Sequence, residues 1–448
     1  MTLKMKTAEL QPAATGRLAV PQTAEKLHGQ MRICYIASAI EVPCRAGLGS
    51  GGSTHTHEVG RTLAEMGDVV HLLCRRASPE HAERERLGNM EVHRRFGWES
   101  APGRILKRHA VLWKLARVPY YLLHTLLDTV WIARLGRRER FHVIYERSSS
   151  ATLAGTCASW LLGIPLILEI NDEGYRPVSL RLARKIVTPD PDAIRPGVRH
   201  KVAALEWGAN TRWFHPSITG TGVRRRYGIE RRDVILFAGS GLPWHGLREI
   251  IKAAPLVVRK ADNPLFLIVG TGPEISACRQ MVVASGLAEW FRFAGAVEYA
   301  EVPAYIAACD IALAPYTSQL AQNRRHRFAS PLKVFEYMAG GKPVIVTRVA
   351  NTRGIIEDSV TGLVIPEDSP DALAAAILRL LGEPELRERL GKHARAAAET
   401  KFSWEKHCCE LRAIFLAAAQ PNRKDQAPSS PKHESKRAQP CKSPSTSK

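Results

Sequence analysis

The residue best placed for chemistry is a carboxylate inside an otherwise apolar helix. Residues 329–346 read ASPLKVFEYMAGGKPVIV, which predicts a helix followed by a buried strand. Ser330 suits an N-cap and Pro331 the first helical position, where its missing N–H costs nothing. Leu332, Phe335, Met338 and Ala339 follow helical spacing, and Gly340-Gly341 with Pro343 end the helix. Glu336 stands between Phe335 and Tyr337, and an enclosed carboxylate there needs a partner. The free N–H groups of Leu332, Lys333 and Val334 point out of the helix N-terminus, which attracts anions, phosphate above all. Side chains lean toward that end, so Glu336 can accept hydrogen bonds from hydroxyls just beyond a bound phosphate. A nucleoside diphosphate offers that pair of groups. A lone Glu could equally cap a loop or pair with an Arg.

The elements that must position this helix form a repeated pattern. Residues 31–38, MRICYIAS, predict a buried strand. A loop containing Gly47, Gly49, Gly51 and Gly52 follows, then a helix from Ser53-Thr54 to Met66 and a strand over 68–74. Strand, glycine loop, helix and strand open a doubly wound sheet. The glycines let backbone approach a ligand, but their spacing is not the dinucleotide fingerprint. Further strands are predicted at 142–146, 165–170, 185–188 and 201–205. Glu146-Arg147 and Asn171-Asp172-Glu173 follow the C-terminal ends of the first two, where such sheets bind ligands. The pattern restarts at Asp233, with strands at 234–239, 265–270, 291–293 and 310–314. The helix and strand of residues 329–346 come next.

Composition bounds the class. The 448 residues suffice for two core-bearing domains with tails, and 45% hydrophobic content says that most of the chain folds. The nine cysteines are scattered and odd in number, and none of their spacings suits zinc. They predict core residues and free thiols of a reducing compartment. With no signal-like segment and no apolar run of spanning length, the expectation is a cytoplasmic protein. The net charge of +21 favours phosphates or an anionic membrane. Much of it lies after Gln420 and within 104–140. The latter segment predicts two basic amphipathic helices with aromatics, separated at Pro119. They are either core-facing helices with a solvated basic face or a surface lying on anionic lipid, possible at the cytoplasmic face of a membrane, where each Lys or Arg adds about 1 kcal/mol. The expected divisions are a disordered leader over 1–30, Rossmann-like domains over 31–212 and 213–400, a crossing helix over 401–420, and a disordered basic tail over 421–448.

The second half carries VILFAGSGLPWHGLREIIKAA, LFLIVGTGP, FAGAVEYAEVPAYIAACDIALAPY and SPLKVFEYMAGGKPVI in order. Over residues 31–415 the chain resembles the retaining glycosyltransferases of family 4, glycosyl transferases group 1. The resemblance implies the α/β GT-B fold: two Rossmann-like doubly wound domains facing a cleft, with a C-terminal helix, starting at Phe402-Ser403-Trp404, that crosses back to the first domain. It implies a nucleotide-sugar donor as co-substrate, with no other cofactor and no metal, and an acceptor on the first domain. It gives Glu336 the ribose hydroxyls and gives the Ser330 helix end, with Leu332 and Lys333, the diphosphate. Gly51 and Gly52 match glycines that approach the phosphates, and Gly239, Ser240, His245 and Gly272 fall in donor-binding loops.

Three departures stand out. Phe328 occupies a position where relatives often carry a second Glu, eight residues before the one matching Glu336. Ser240 and His245 stand where Arg and Lys often bind the diphosphate; Arg324, Arg325, Arg327 or Lys333 are the candidate replacements. Tyr145-Glu146-Arg147 stands where many relatives have a histidine near the reacting centre, which makes Glu146 and Arg147 the catalytic candidates. The expected activity is transfer of a sugar, with retention, to a glycan or lipid-linked acceptor in cell-surface polysaccharide or glycolipid synthesis. A catalytically degenerate protein that binds nucleotide or a partner, and a sugar-nucleotide epimerase of the same fold, remain as alternatives. Nucleic acid is not an expected partner, since the chain has no recognisable motif for reading it.

Overall fold

The computed structural model describes residues 29–42, 51–76, 81–96, 110–148, 152–171, 175–322, 331–349 and 352–420. Its strands are β1 (Arg32–Glu41), β2 (Val69–Arg75), β3 (Arg84–Leu87), β4 (Met90–Phe96), β5 (Val143–Arg147), β6 (Leu166–Glu169), β7 (Lys185–Thr188) and β8 (Val202–Ala204). Those of the second half are β9 (Asp233–Ala238), β10 (Pro264–Val269), β11 (Phe291–Gly295), β12 (Ile311–Ala314), β13 (Val344–Thr347) and β14 (Leu363–Ile365). They form two sheets, ordered β3-β4-β2-β1-β5-β6-β7-β8 and β11-β10-β9-β12-β13-β14. All pairs are parallel except β3 with β4. Helices cover both faces, which is why the strands read as continuous apolar runs rather than alternating ones. The expected GT-B architecture is therefore present.

Strand order reverses at β1 beside β5 and at β9 beside β12. Such switch points open a crevice at the strand C-termini, and the candidate residues collect at both. The helix Gly51–Glu65 follows β1, and the helix Leu332–Ala339 precedes β13. Tyr337 pins the latter to β9, its hydroxyl accepting the Ala238 N–H at 2.8 Å.

Four expectations need correction. Gly51 and Gly52 belong to the first turn of their helix rather than to a loop before it. The later helix begins at Leu332 with Pro331 at the capping position; Ser330 lies outside the described residues, as do Arg324, Arg325, Arg327 and Phe328. The two basic helices are one, Ala110–Glu139, with Pro119 inside it. A proline near the start of a long helix removes one hydrogen bond without ending it when the turns on either side hold. The β3–β4 hairpin was not expected, because its strands, RERL and MEVHRRF, are mostly charged.

The last helix, Trp404–Ala419, crosses back to the first domain. Ser403 caps it, accepting the Lys406 N–H at 3.1 Å. Phe415 is fully buried against Tyr145, with ring centroids 5.2 Å apart. The Arg412 guanidinium donates to the buried Asp68 at 2.9 Å. Just upstream, residues 402–404 lie against 208–209: Ala209 N–H donates to Phe402 O at 2.9 Å and Trp404 N–H to Ala209 O at 3.2 Å. A Cβ on Gly208 would stand 2.6 Å from Phe402 O, so this crossing admits no side chain there. Cys34, Cys74, Cys278, Cys309 and Cys408 are buried free thiols.

Truncating Phe415 to Ala removes a fully enclosed ring between the crossing helix and β5. Urea unfolding should show a loss of about 3–5 kcal/mol.

Candidate functional site

The site begins with two helix N-termini that meet. A Cβ placed on Gly51 would lie 3.3 Å from Leu332 Cδ1, so the first residues of the two helices are in contact across the two domains. Neither helix has an acidic residue in its first turn. Each end carries the positive end of a helix dipole, although the Val334 N–H expected to be free is turned back onto Pro331 O at 2.7 Å. Two such ends side by side make a place for an anion with charge on more than one oxygen.

Beside it, Glu336 is 8% exposed and accepts a hydrogen bond from the Tyr299 hydroxyl at 2.9 Å. Burial is the main cause that pushes its carboxyl up to about 7; the Tyr299 bond opposes the rise and the carboxylate of Glu58 adds to it. Lys333 curls under the end of β9. Its amine is enclosed without a hydrogen-bond acceptor among the described residues, 4.4 Å above the Phe237 ring centroid and 5.4 Å from that of Tyr316, although its stem keeps some exposure. Burial pulls this amine down to about 7. The Nζ stands 2.9 Å from where a Cβ of Gly239 would be. Gly239 thus leaves the space that the amine fills, and its φ of 145° suits glycine.

The surrounding loops are packed on backbone. A Cβ on Gly272 would fall 2.5 Å from Gly241 N, and one on Gly246 would fall 1.7 Å from Pro315 O. Ser240 is exposed, and its carbonyl oxygen contacts His245 Nδ1. That contact, with neighbouring rings of Trp244, Phe237 and Tyr316, holds the imidazole. Gly51, Gly239, Leu332, Lys333 and Glu336 come together in this half of the site. Arg327 and Ser330 fall outside the described residues.

The first domain contributes a buried polar cluster that sequence reasoning missed. His55, on the Gly51–Glu65 helix, has its Nε2 3.0 Å from Glu169 Oε1 at the end of β6, and both are almost fully buried. Its Nδ1 faces an Arg147 guanidinium nitrogen at 3.2 Å. Burial acts to raise Glu169, but the His55 ring and the Arg147 guanidinium outweigh it and hold the carboxyl near 2. Burial holds the His55 imidazole below its ordinary value. Asn171 lies beside them and helps to hold the Glu169 carboxyl down. The rings of Trp207, Trp404 and His407 surround His55 at 4.9, 5.3 and 5.7 Å. His55 therefore sits where both crossing segments meet the first domain.

Glu146 and Arg147 are not brought together. Successive residues of a strand point to opposite faces. Arg147 joins His55 and Glu169, whereas Glu146 faces the other way, its Oε2 2.6 Å from where a Gly155 Cβ would be. Burial pushes Glu146 up to about 8, so its carboxyl is neutral at pH 7. The only hint of the missed cluster in the sequence was a polar residue ending each of two apolar strands.

Comparison with known proteins agrees with this geometry. Residues 232–383 match the family described as glycosyl transferases group 1, and residues 50–200 match a glycosyl transferase 4-like domain. The chain is 24% identical over 320 residues to the alpha-D-kanosaminyltransferase of Streptomyces kanamyceticus, covering 64% of this chain and 81% of that one. It is 27% identical over 218 residues to a GDP-mannose-dependent alpha-(1-6)-phosphatidylinositol monomannoside mannosyltransferase of Mycobacterium tuberculosis, covering 48% of this chain and 56% of that one. Among solved structures, Anabaena HepE in complex with UDP-glucose superposes with a TM-score of 0.62 at 15% identity, over 87% of this chain and all of the other, a likeness of fold. With both halves matched in order and two facing parallel-sheet domains in place, the chain belongs to the group 1, family 4-type glycosyltransferases of GT-B fold.

Proposed function

We propose that the protein transfers a sugar, with retention, from a nucleoside diphosphate sugar to a glycan or lipid-linked acceptor in cell-surface polysaccharide or glycolipid synthesis. The observation that carries the reading is the meeting of two acid-free helix N-termini at Gly51 and Leu332, one turn from the buried Glu336. The diphosphate lies against the two ends, and Glu336 accepts hydrogen bonds from the ribose hydroxyls. The Lys333 amine, enclosed without an acceptor among the described residues, supplies the cation missing at Ser240 and His245. Gly52, Gly239 and Gly272 let backbone approach the donor. The relatives' names and complexes include both GDP-mannose and UDP-glucose, so either base is open to this chain.

Retention follows from a front-face displacement. The bond from the anomeric carbon to the phosphate oxygen breaks, the acceptor oxygen bonds to that carbon on the same face, and the acceptor proton passes to the departing phosphate. Negative charge grows on the diphosphate, where fixed N–H groups and a cation stabilise it. This route needs no cofactor beyond the donor and no catalytic metal. Arg147, held with His55 and Glu169, faces the first-domain side of the reaction; Glu146 lies on the other face of β5, against Gly155.

The exposed stripe on the Ala110–Glu139 helix supports work at a membrane surface. Leu122, Leu123, Leu126 and Leu127 are each half or more exposed, and Arg134, Arg137 and Arg138 follow on its last turns. No described helix is long and apolar enough to cross a bilayer. The stripe is therefore read as lying on anionic lipid, with the polypeptide on its cytoplasmic face.

A calorimetric panel of UDP- and GDP-sugars tests the donor site. One nucleotide should bind selectively, and Glu336→Gln should weaken it about 10–100-fold, the worth of hydrogen bonds to a charged group. Failure of every nucleotide to bind would make the protein a degenerate relative. Affinity should peak near pH 7. It falls at higher pH as Lys333 loses its proton, with proton uptake on binding, and at lower pH as Glu336 becomes protonated. Lys333→Met should remove the alkaline limb, read from binding in buffers of different ionisation enthalpy. The wild type should float with anionic liposomes, and Leu122→Glu with Leu126→Glu should abolish flotation while leaving nucleotide binding intact.

A further inference from the structure

A second cluster lies on the first sheet, on the face covered by the Ala110–Glu139 helix. His71 of β2 stands directly across the parallel ladder from Glu91 of β4. His93 follows Glu91 by two residues and so shares its face. His71 Nδ1 and His93 Nε2 are 3.2 Å apart, and His93 Nε2 is 3.4 Å from Glu91 Oε1. One ligand atom from each residue lies within 4.8 Å of the others. A tetrahedral ion with bonds of 2.0–2.1 Å keeps its ligand atoms about 3.3 Å apart. Two edges of such a tetrahedron are already set.

The surroundings suit an ion. Both histidines are buried, while Glu91 is partly exposed and leaves an entry path. Phe141 and Trp131 pack on the two rings, with centroids 5.2 and 5.5 Å away. The other nitrogen of His71 faces Glu139 Oε2 at 3.8 Å, beyond hydrogen-bond distance. Arg32 reaches the same Glu139 Oε2 at 4.0 Å, and two further cations are close by. Arg138 lies on Glu139 at 2.8 Å, and the Arg84 guanidinium occupies Glu91 Oε1 but is 60% exposed and free to turn away.

We infer that His71, Glu91 and His93 form a binding site for a first-row divalent cation of the zinc class, with water as the fourth ligand. Two imidazoles and a carboxylate are ligands of that class rather than of calcium or magnesium. The ion clips the β3–β4 edge of the sheet to β2. It takes no part in transfer, since His55, Arg147 and Glu169 lie on the opposite face.

Full-length protein stripped with a chelator and titrated with Zn²⁺ and Co²⁺ tests this. Wild type should bind one equivalent more than His93→Gln and than Glu91→Gln, and its Co²⁺ form should show the intense visible bands of a tetrahedral N/O site. Nucleotide binding should be the same with and without the ion, which separates this result from the donor-site reading. Glu91→Gln changes a partly exposed side chain at constant volume, so it decides the matter if His93→Gln does not fold. Equal stoichiometry and affinity in wild type and Glu91→Gln, or no ion bound by wild type, would overturn the site and leave a His71–His93 hydrogen bond in its place.

Discussion

Parallel strands impose the constraint on which this molecule depends. Each strand must be followed by a helix that returns over the sheet, so helix N-termini gather along the edge where the strands end. Both sheets turn that edge toward the same place, and the ends of two helices touch at Gly51 and Leu332. Two positive dipole ends in contact favour an anion between them, each worth about 0.3–1 kcal/mol to a nearby negative charge, and more where water is excluded. The missing side chain at Gly51 and the acid-free first turns keep that place open.

Around it the protein buries charge, and each half does so differently. In the second domain Glu336 and Lys333 are both pushed toward neutrality by burial, and the amine has no acceptor among the described residues. An isolated buried charge is costly, and both groups carry that cost. In the first domain Arg147 and Glu169 lie on either side of the His55 ring, at 3.2 Å from Nδ1 and 3.0 Å from Nε2. The segments that cross between the domains touch this unit through Trp207 and Trp404.

The second-domain half of the site was legible because its parts are local. Leu332, Phe335, Met338 and Ala339 announce a helix, the terminal glycines stop it, and Glu336 breaks the apolar pattern in view. The first-domain half was not. His55, Arg147, Glu169 and His407 are far apart in sequence and meet only because β5 and β6 are neighbours and the last helix returns. By motif position Glu146 and Arg147 are equal candidates in the sequence, and the pleat of β5 turns them to opposite faces. The hairpin of β3 and β4 escaped notice because RERL and MEVHRRF carry charges where a buried strand carries apolar groups. It is an edge, where charge protects against pairing with other chains.

By itself the sequence determined the two-part α/β plan, the strand–helix order and the helix that carries Glu336. Those features follow from periodicity, caps and glycines, which act over a few residues. Tertiary structure alone decided that two helix ends would abut, that Lys333 would lie beneath Gly239, and that Arg147 would pair with His55. It also decided that His71 would stand opposite Glu91 and beside His93. Each of these depends on strand neighbours and register, which non-local packing selects and which no short stretch of sequence encodes.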